Sequence, residues 1–294
     1  MLLTIPFCRL RANGIYQSFP KGKAVSPVKL KTSIRTMVIT LLFAHASSAD
    51  AFDIDPEIEA CIRKNAPKAT AIEKIRLTSE GLMYEEEETL SAKVYWKHSA
   101  SGTSNILAVF DEPDDILGSR LLFLEKESGN EIYLYMPALF KVRRISSDRI
   151  SSSMYGMDFS YEDFQFMYNM MTTAVSEQRP DVEINGKPMH VFAIAPGEGG
   201  GSMYETIYSY FDKESCVVRK VEFYEAGAKL RKVLVTDSDS IKRVNGILVP
   251  HKLQMNDLKK ESTTELTVIS VSVDPPVHDS LFDPAQLKEH RGID

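Results

Sequence analysis

The chain reads as mainly β, a single curved antiparallel sheet interrupted by one helical insertion, and three observations carry that reading. About a dozen short segments rich in β-branched and aromatic residues follow one another at close intervals. The dipeptides and tripeptides between them, Ser101-Gly102, Ser128-Gly129-Asn130, Asn185-Gly186 and Asn245-Gly246, supply the left-handed conformations that tight hairpins need. No Pro-rich or Ser-rich linker divides the chain, so one curved sheet fits better than two separate units.

Taken in order, residues 1–51 read as a targeting prefix. Lys29, Lys31 and Arg35 precede the apolar run 37–44, and Ala49-Asp50-Ala51 follows with small-x-small cleavage spacing, the three parts of a secretory signal. The run is too short to span a bilayer. A leader of ordinary length with a basic start begins at Val28, which points to initiation there at a non-AUG codon. Residues 55–65 read as a short helix, with Pro56 in its first turn and Ile58, Cys61 and Ile62 on one face. Strands are expected at 71–79, 90–98, 105–111, 120–125, 131–136 and 140–145, and after the insertion at 189–195, 204–211, 217–224, 229–236, 249–257 and 261–273. Within 120–125 both faces are apolar, Leu121 and Phe123 opposing Leu122 and Leu124. Such a sheet needs cover on both faces, or a bound apolar ligand in place of cover.

The insertion has its own start signal. Ser160 followed by Asp163 resembles a capping box, and Glu162 and Asp163 place negative charge in a first turn where the helix dipole favours it. The helix is expected over 161–171, with Phe164, Met167 and Met171 in one apolar stripe and Tyr161 and Tyr168 beside it. That stripe fits two readings, ordinary packing on the sheet or a lid lining a cavity. Met136, Met154, Met157, Met167, Met170 and Met171, six of the twelve methionines, lie in this part of the chain. Flexible thioethers suit a surface that repacks around variable apolar chains.

Charge excludes some partners. The whole chain carries a net charge of −6; the prefix holds seven of the 35 basic and one of the 41 acidic residues, so residues 52–294 carry 28 basic and 40 acidic ones, a net −12. That balance argues against nucleic acid or an anionic membrane surface as the main partner, while leaving room for local basic patches. Cys8 lies in the prefix, leaving Cys61 and Cys216. In an oxidising compartment the pair reads as one disulfide, with two separate buried thiols as the alternative. No catalytic constellation can be assembled: the histidines lack metal-ligand spacing, there is no Gly-x-Ser-x-Gly elbow, and Gly197 to Gly201 reads as a hairpin loop without the lysine of a phosphate loop. The expectation is a non-enzyme without cofactor or metal.

The block from Tyr133 to Asp163 is the most specific. Tyr133-Leu134-Tyr135-Met136-Pro137, then Lys141-Val142-Arg143-Arg144-Ile145, then Gly156-Met157-Asp158-Phe159-Ser160-Tyr161-Glu162-Asp163 resembles the signature of LolA-like outer-membrane lipoprotein-sorting proteins. The resemblance implies an open, highly curved antiparallel β-sheet, an incomplete β-barrel, with short helices forming a lid over an apolar cavity, built from residues 52–294 as one lipid-binding domain. It implies a periplasmic protein of a Gram-negative bacterium whose cargo is lipid or lipoprotein acyl chains. The partners would be an inner-membrane transporter, RND-type among the classes, and an outer-membrane acceptor. The alternative role is a non-carrier accessory subunit of an RND-type hydrophobe exporter or envelope complex. Candidate ligand-binding residues are Met136, Leu139, Phe140, Arg143, Arg144, Phe159, Tyr161, Phe164, Met167 and Met171. Because neighbours on a strand face opposite ways, one of Arg143 and Arg144 is expected at the cavity mouth, and the other in solvent or paired with Asp158, Glu162 or Asp163.

Overall fold

The structure is a computed structural model and describes residues 55–81, 88–99, 102–126, 128–171, 174–197 and 201–289. The expected leader and start site fall outside them. Chain order runs α1 (Pro56–Arg63), β1 (Thr70–Gly81), β2 (Glu88–His98), β3 (Ser104–Glu112), β4 (Arg120–Leu124), β5 (Glu131–Met136) and β6 (Lys141–Ile145). Then come α2 (Tyr161–Met167), β7 (Val175–Ile184), β8 (Lys187–Ala195), β9 (Thr206–Asp212), β10 (Val218–Glu225) and β11 (Lys229–Thr236). The last strands are β12 (Ile241–Val244), β13 (Ile247–Pro250), β14 (Lys252–Asp257) and β15 (Ser262–Val273).

Thirteen strands form one antiparallel sheet in the order β6-β5-β4-β3-β2-β1-β15-β14-β11-β10-β9-β8-β7, and β12 pairs with β13 beside it. Two meanders thus run outward from a central β1-β15-β14-β11 group, leaving β6 and β7 as the sheet's edges. Phe123 of β4 lies 6.3 Å from Phe164 of α2, while Phe166 of the same helix lies 5.5 Å from Phe223 of β10. Seven strand steps separate β4 from β10, about 34 Å on a flat sheet and far more than one helix spans. The sheet therefore curves around α2, and the fold is the expected mainly β, open antiparallel sheet with two short helices.

Both faces of β4 are covered by the chain itself. On the concave side Leu121 and Phe123 pack with Phe159, Phe164, Met167 and residues of β8 to β11 in one cluster. On the convex side Leu122 and Leu124 pack with Tyr95, Leu107 and Tyr135 under Phe282 and Leu287 of the C-terminal segment. Arg120 secures that segment, donating to the Leu287 carbonyl and stacking 5.4 Å from the Tyr135 ring.

Local chemistry explains the elements. Asp55 caps α1 by accepting from the Glu57 amide, Pro56 occupies its first turn, and Ile58 and Ile62 are its buried face. Asn185-Gly186 and Asn245-Gly246 have positive φ at both residues, as two-residue hairpins of the primed type require. Cys61 and Cys216 form a disulfide across 155 residues, with Cα atoms 5.6 Å apart. It ties α1 to the turn between β9 and β10.

Three expectations need revision. The strand β7 goes unforeseen because Ser176 to Asp181 is polar and contains Pro180; the strand tolerates this by lying at an edge, with its register shifted between Arg179 and Val182. The expected strand 249–257 is two, since Pro250 ends the pairing with β12 before the chain enters the main sheet. The helix expected over 161–171 stops at Met167. Asn169 takes a left-handed conformation, its amide bonds the Phe166 carbonyl at 3.1 Å and the Met170 amide the Gln165 carbonyl at 2.9 Å. That is a Schellman stop, with Asn in place of Gly.

Candidate functional site

The connection from β6 to β7 has to travel from one edge of the sheet to the other, and it does so across the concave face. It leaves Ile145, makes a 3-10 turn at Ser147–Arg149 and enters α2 through a full capping box: Ser160 Oγ accepts from the Asp163 amide, and Asp163 Oδ2 accepts from the Ser160 amide. All seven residues of α2 are buried.

Charged side chains fix this segment at its N-terminal end. Lys232 of β11 donates to Asp163 Oδ2 at 2.6 Å and to the Asp158 carbonyl at 2.7 Å, and Tyr204 donates to Asp163 Oδ1 at 2.8 Å. The Asp158 carboxylate accepts from Ser262 at 2.6 Å and Thr264 at 2.9 Å, both on β15. Lys260 stands 3.7 Å from Asp158, and burial lowers its pKa while Asp158 works against that shift. Asp158 and Asp163 are wholly inaccessible to solvent and Lys232 nearly so. At the other end Tyr168 donates to Glu73 of β1 at 2.8 Å, and burial first, then the neighbouring Glu73 charge, raise its pKa well above the usual phenol value. The helix is latched to the sheet at both ends.

Beside the latch is a cleft of about 500 Å³, where the 146–171 connection meets the loop between β8 and β9. Its apolar wall is Ile132, Ile145, Ile150, Met170 and Met171, and its polar wall includes Asn130, Arg144, Glu162, Gln165 and Ser202. Gly201 makes the seam: a Cβ there would collide with the Ser147 carbonyl, and Ser151 donates to the Gly201 carbonyl at 3.3 Å. Glu162 closes the same seam, accepting from Ser202, from Ser151 at 3.2 Å and from the Met203 amide at 3.2 Å.

Burial pushes Glu162 up to about 7, with the Asp163 carboxylate adding to the shift and the Ser202 hydroxyl opposing it. The folded chain therefore holds a proton that the unfolded chain has released between about pH 4.5 and pH 7. Glu162 lowers stability as pH rises through that window, by on the order of 3 kcal/mol. Glu162→Gln is expected to remove this term, so melting temperatures of variant and wild type should be close near pH 5 and diverge in the variant's favour near pH 8. A constant difference across that range would contradict the assignment.

The candidate residues do not gather at one place. Phe159, Tyr161, Phe164 and Met167 are buried on the concave face, Met136 is half-buried at the end of β5, and Met171 is half-buried on the cleft wall. Leu139 and Phe140 are exposed in the β5–β6 turn. Of the two arginines, Arg144 is exposed to solvent and pairs with Glu131 at 3.1 Å instead of with Asp158, Glu162 or Asp163, because Lys232 and the hydroxyls of β15 already satisfy Asp163 and Asp158. Arg143, paired in register with Leu134, extends along the exposed edge on the concave side. Gln165, Ile150 and Ser202 are cleft residues that the sequence pattern does not mark, and Glu162 is marked there only as a first-turn charge and a partner for an arginine. Among the described residues no group of three or more His, Cys, Asp or Glu is placed to hold a metal ion.

A family model described as "Uncharacterized protein" matches residues 102–289, more than half of the chain. The chain belongs to that family. No curated protein matches it. Among solved structures, a domain described as an outer membrane lipoprotein-sorting protein from Vibrio parahaemolyticus superposes with a TM-score of 0.70 at 23% identity, covering 79% of this chain and 97% of that one. A DUF1329 family protein from Desulfovibrio piger gives 0.70 at 20%, covering 78% and 95%. A LolA superfamily protein from Nitrosomonas europaea gives 0.63 at 16%, covering 77% and 96%. At these identities the likeness establishes the fold. The chain has the open-sheet, helix-covered architecture of LolA and DUF1329 proteins.

Proposed function

We propose that the chain is a periplasmic carrier that takes acyl chains of lipids or lipid-modified proteins between its sheet and the 146–171 connection, working without covalent chemistry. The observation that carries this reading is the construction of the concave face. One connection covers the curved sheet, it presents Met154, Met157, Phe164, Met167 and Met170 inward, and a cleft already opens at its side. About 500 Å³ is within the range of small-molecule sites. Aliphatic thioethers and phenyl rings repack readily around another chain. Arg143 and Arg144 at the rim, and the partners of such a carrier, an inner-membrane transporter and an outer-membrane acceptor, belong to the same proposal.

A second reading is favoured by one observation. Phe159, Phe164 and Met167 already fill the concave face, as in an accessory subunit that uses only its surface. Met170→Glu separates the two, because it places a charge at the inner wall of the cleft. A carrier should lose affinity for a fluorescent fatty-acid probe by at least about tenfold, the worth of one to two buried methylenes per decade. Met170 is fully buried, so the variant should also melt lower, and binding is compared at a temperature where both proteins are folded so that binding loss and unfolding are read separately. A wild-type protein that takes up no probe supports the accessory reading.

A further inference from the structure

We propose that the β5–β6 turn, Pro137 to Lys141 with Arg143 beyond it, is a docking tip for the surface of a membrane rich in anionic phospholipid. Phe140 is 76% exposed and Leu139 56% exposed, the two adjacent in a turn at the sheet's edge. Phe140 also sits in the left-handed region at φ 46°, closing the Pro137–Leu139 turn with its amide on the Pro137 carbonyl at 3.0 Å. A bulky aromatic is a poor residue for that conformation, where Gly or Asn costs least. Its ring packs on little of the fold, so neither stability nor backbone geometry accounts for a phenylalanine there.

The next strand adds charge. Arg144 is taken by Glu131, whereas Lys141 and Arg143, both exposed and on the same face of β6, have no ion-pair partner among the described residues. Cations on an edge strand also guard against strand pairing. An exposed Phe and Leu beside them would undo that guard, so protection alone does not explain the combination. Leu117, 54% exposed, lies in the neighbouring turn, where Gly118 approaches Pro137, but Asp114 and Asp115 share that turn. The cationic side of the tip is therefore the β6 side. Against the net −12 of residues 52–294, two unpaired cations behind a projecting apolar pair form a local patch complementary to an anionic headgroup layer over hydrocarbon, which accepts a protruding ring without a preformed groove.

The test is co-sedimentation with phosphatidylethanolamine vesicles, with and without phosphatidylglycerol, using the chain in the form recovered from its own cells. Wild type should bind the phosphatidylglycerol vesicles more tightly. Phe140→Gly should weaken that binding by at least about tenfold while melting at the same or a higher temperature. Lys141→Gln with Arg143→Gln should abolish the preference for phosphatidylglycerol. Leu139→Ser, which leaves the left-handed residue in place, decides the matter if Phe140→Gly melts lower. Undiminished binding of Phe140→Gly or, where that variant is unstable, of Leu139→Ser overturns the proposal, as does a wild type indifferent to phosphatidylglycerol. Uptake of a soluble fatty-acid probe by Phe140→Gly and Leu139→Ser, whose exposed side chains lie outside the cleft, should match wild type, so failure here is distinct from failure of the carrier reading.

Discussion

Lys232→Met is expected to destabilise the protein by about 3 to 5 kcal/mol, the cost of leaving a buried carboxylate without its cation. Asp163 has no access to solvent, its Oδ2 faces Lys232 Nζ at 2.6 Å, and the same ammonium holds the Asp158 carbonyl. Removing the lysine therefore leaves the Asp163 carboxylate without its cation, since Lys260 faces Asp158 at 3.7 Å, and orphans the Asp158 carbonyl. Replacing Asp163 with Asn in the same chain should recover part of the loss, since Asn is neutral and keeps an acceptor for the Ser160 amide. Urea unfolding at neutral pH of both single variants and the double variant checks this as a cycle. Additive losses, or a Lys232→Met loss below about 0.5 kcal/mol, typical of surface positions, would deny the latch.

Opening the disulfide is expected to cost a comparable amount. For a loop of 155 residues the chain-entropy model gives about 5 kcal/mol, acting through the unfolded chain more than through native contacts. Cys61→Ser with Cys216→Ser should show that loss in thermal melts, whereas a reductant should leave the double variant unchanged. The effect on α1 should be local as well. The helix buries only Ile58 and Ile62, and Asn65, which donates to the Ser215 carbonyl at 2.8 Å and accepts from the Leu248 amide at 3.1 Å, remains as a tie. Amide exchange over Glu57 to Arg63 should accelerate more than exchange in β1 or β15. Equal stability of wild type and the double variant under oxidising conditions would contradict the assignment.

What could be read from the residues was what is written locally. Asn-Gly pairs specify their own turns, Ser160 and Asp163 specify a helix start, and the two apolar faces of β4 demand cover on both sides; each is a matter of neighbours in sequence. The extent of α2 was misjudged because apolar spacing continues to Met171, whereas Asn169 ends the helix through a backbone conformation that spacing does not report. Partners were harder still. Lys232 lies 69 residues from Asp163, and Thr264 lies 106 from Asp158; nothing in the local pattern of Lys229 to Thr236 marks one lysine of the strand as buried. Those acids consequently looked like partners for the nearby arginines. Cover for the convex face was legible as a need but not as a place, because Phe282 and Leu287 sit in a segment without regular period.

The latch also sets the terms for the proposed carriage of acyl chains. The concave face is filled while α2 is in place, so an entering chain has to exchange with Phe164, Met167 and Met170, and a long chain contributes about 0.8 kcal/mol for each methylene buried. Loosening the latch should therefore favour uptake even as it lowers stability. Native mass spectrometry of the protein isolated from its own cell envelope tests this most directly. The account predicts a population carrying lipid or acyl-chain mass, larger for Lys232→Met than for wild type, and lost when Met170 is replaced by Glu. A wild-type protein that flies only at its polypeptide mass, and whose Lys232→Met variant does the same, would contradict it.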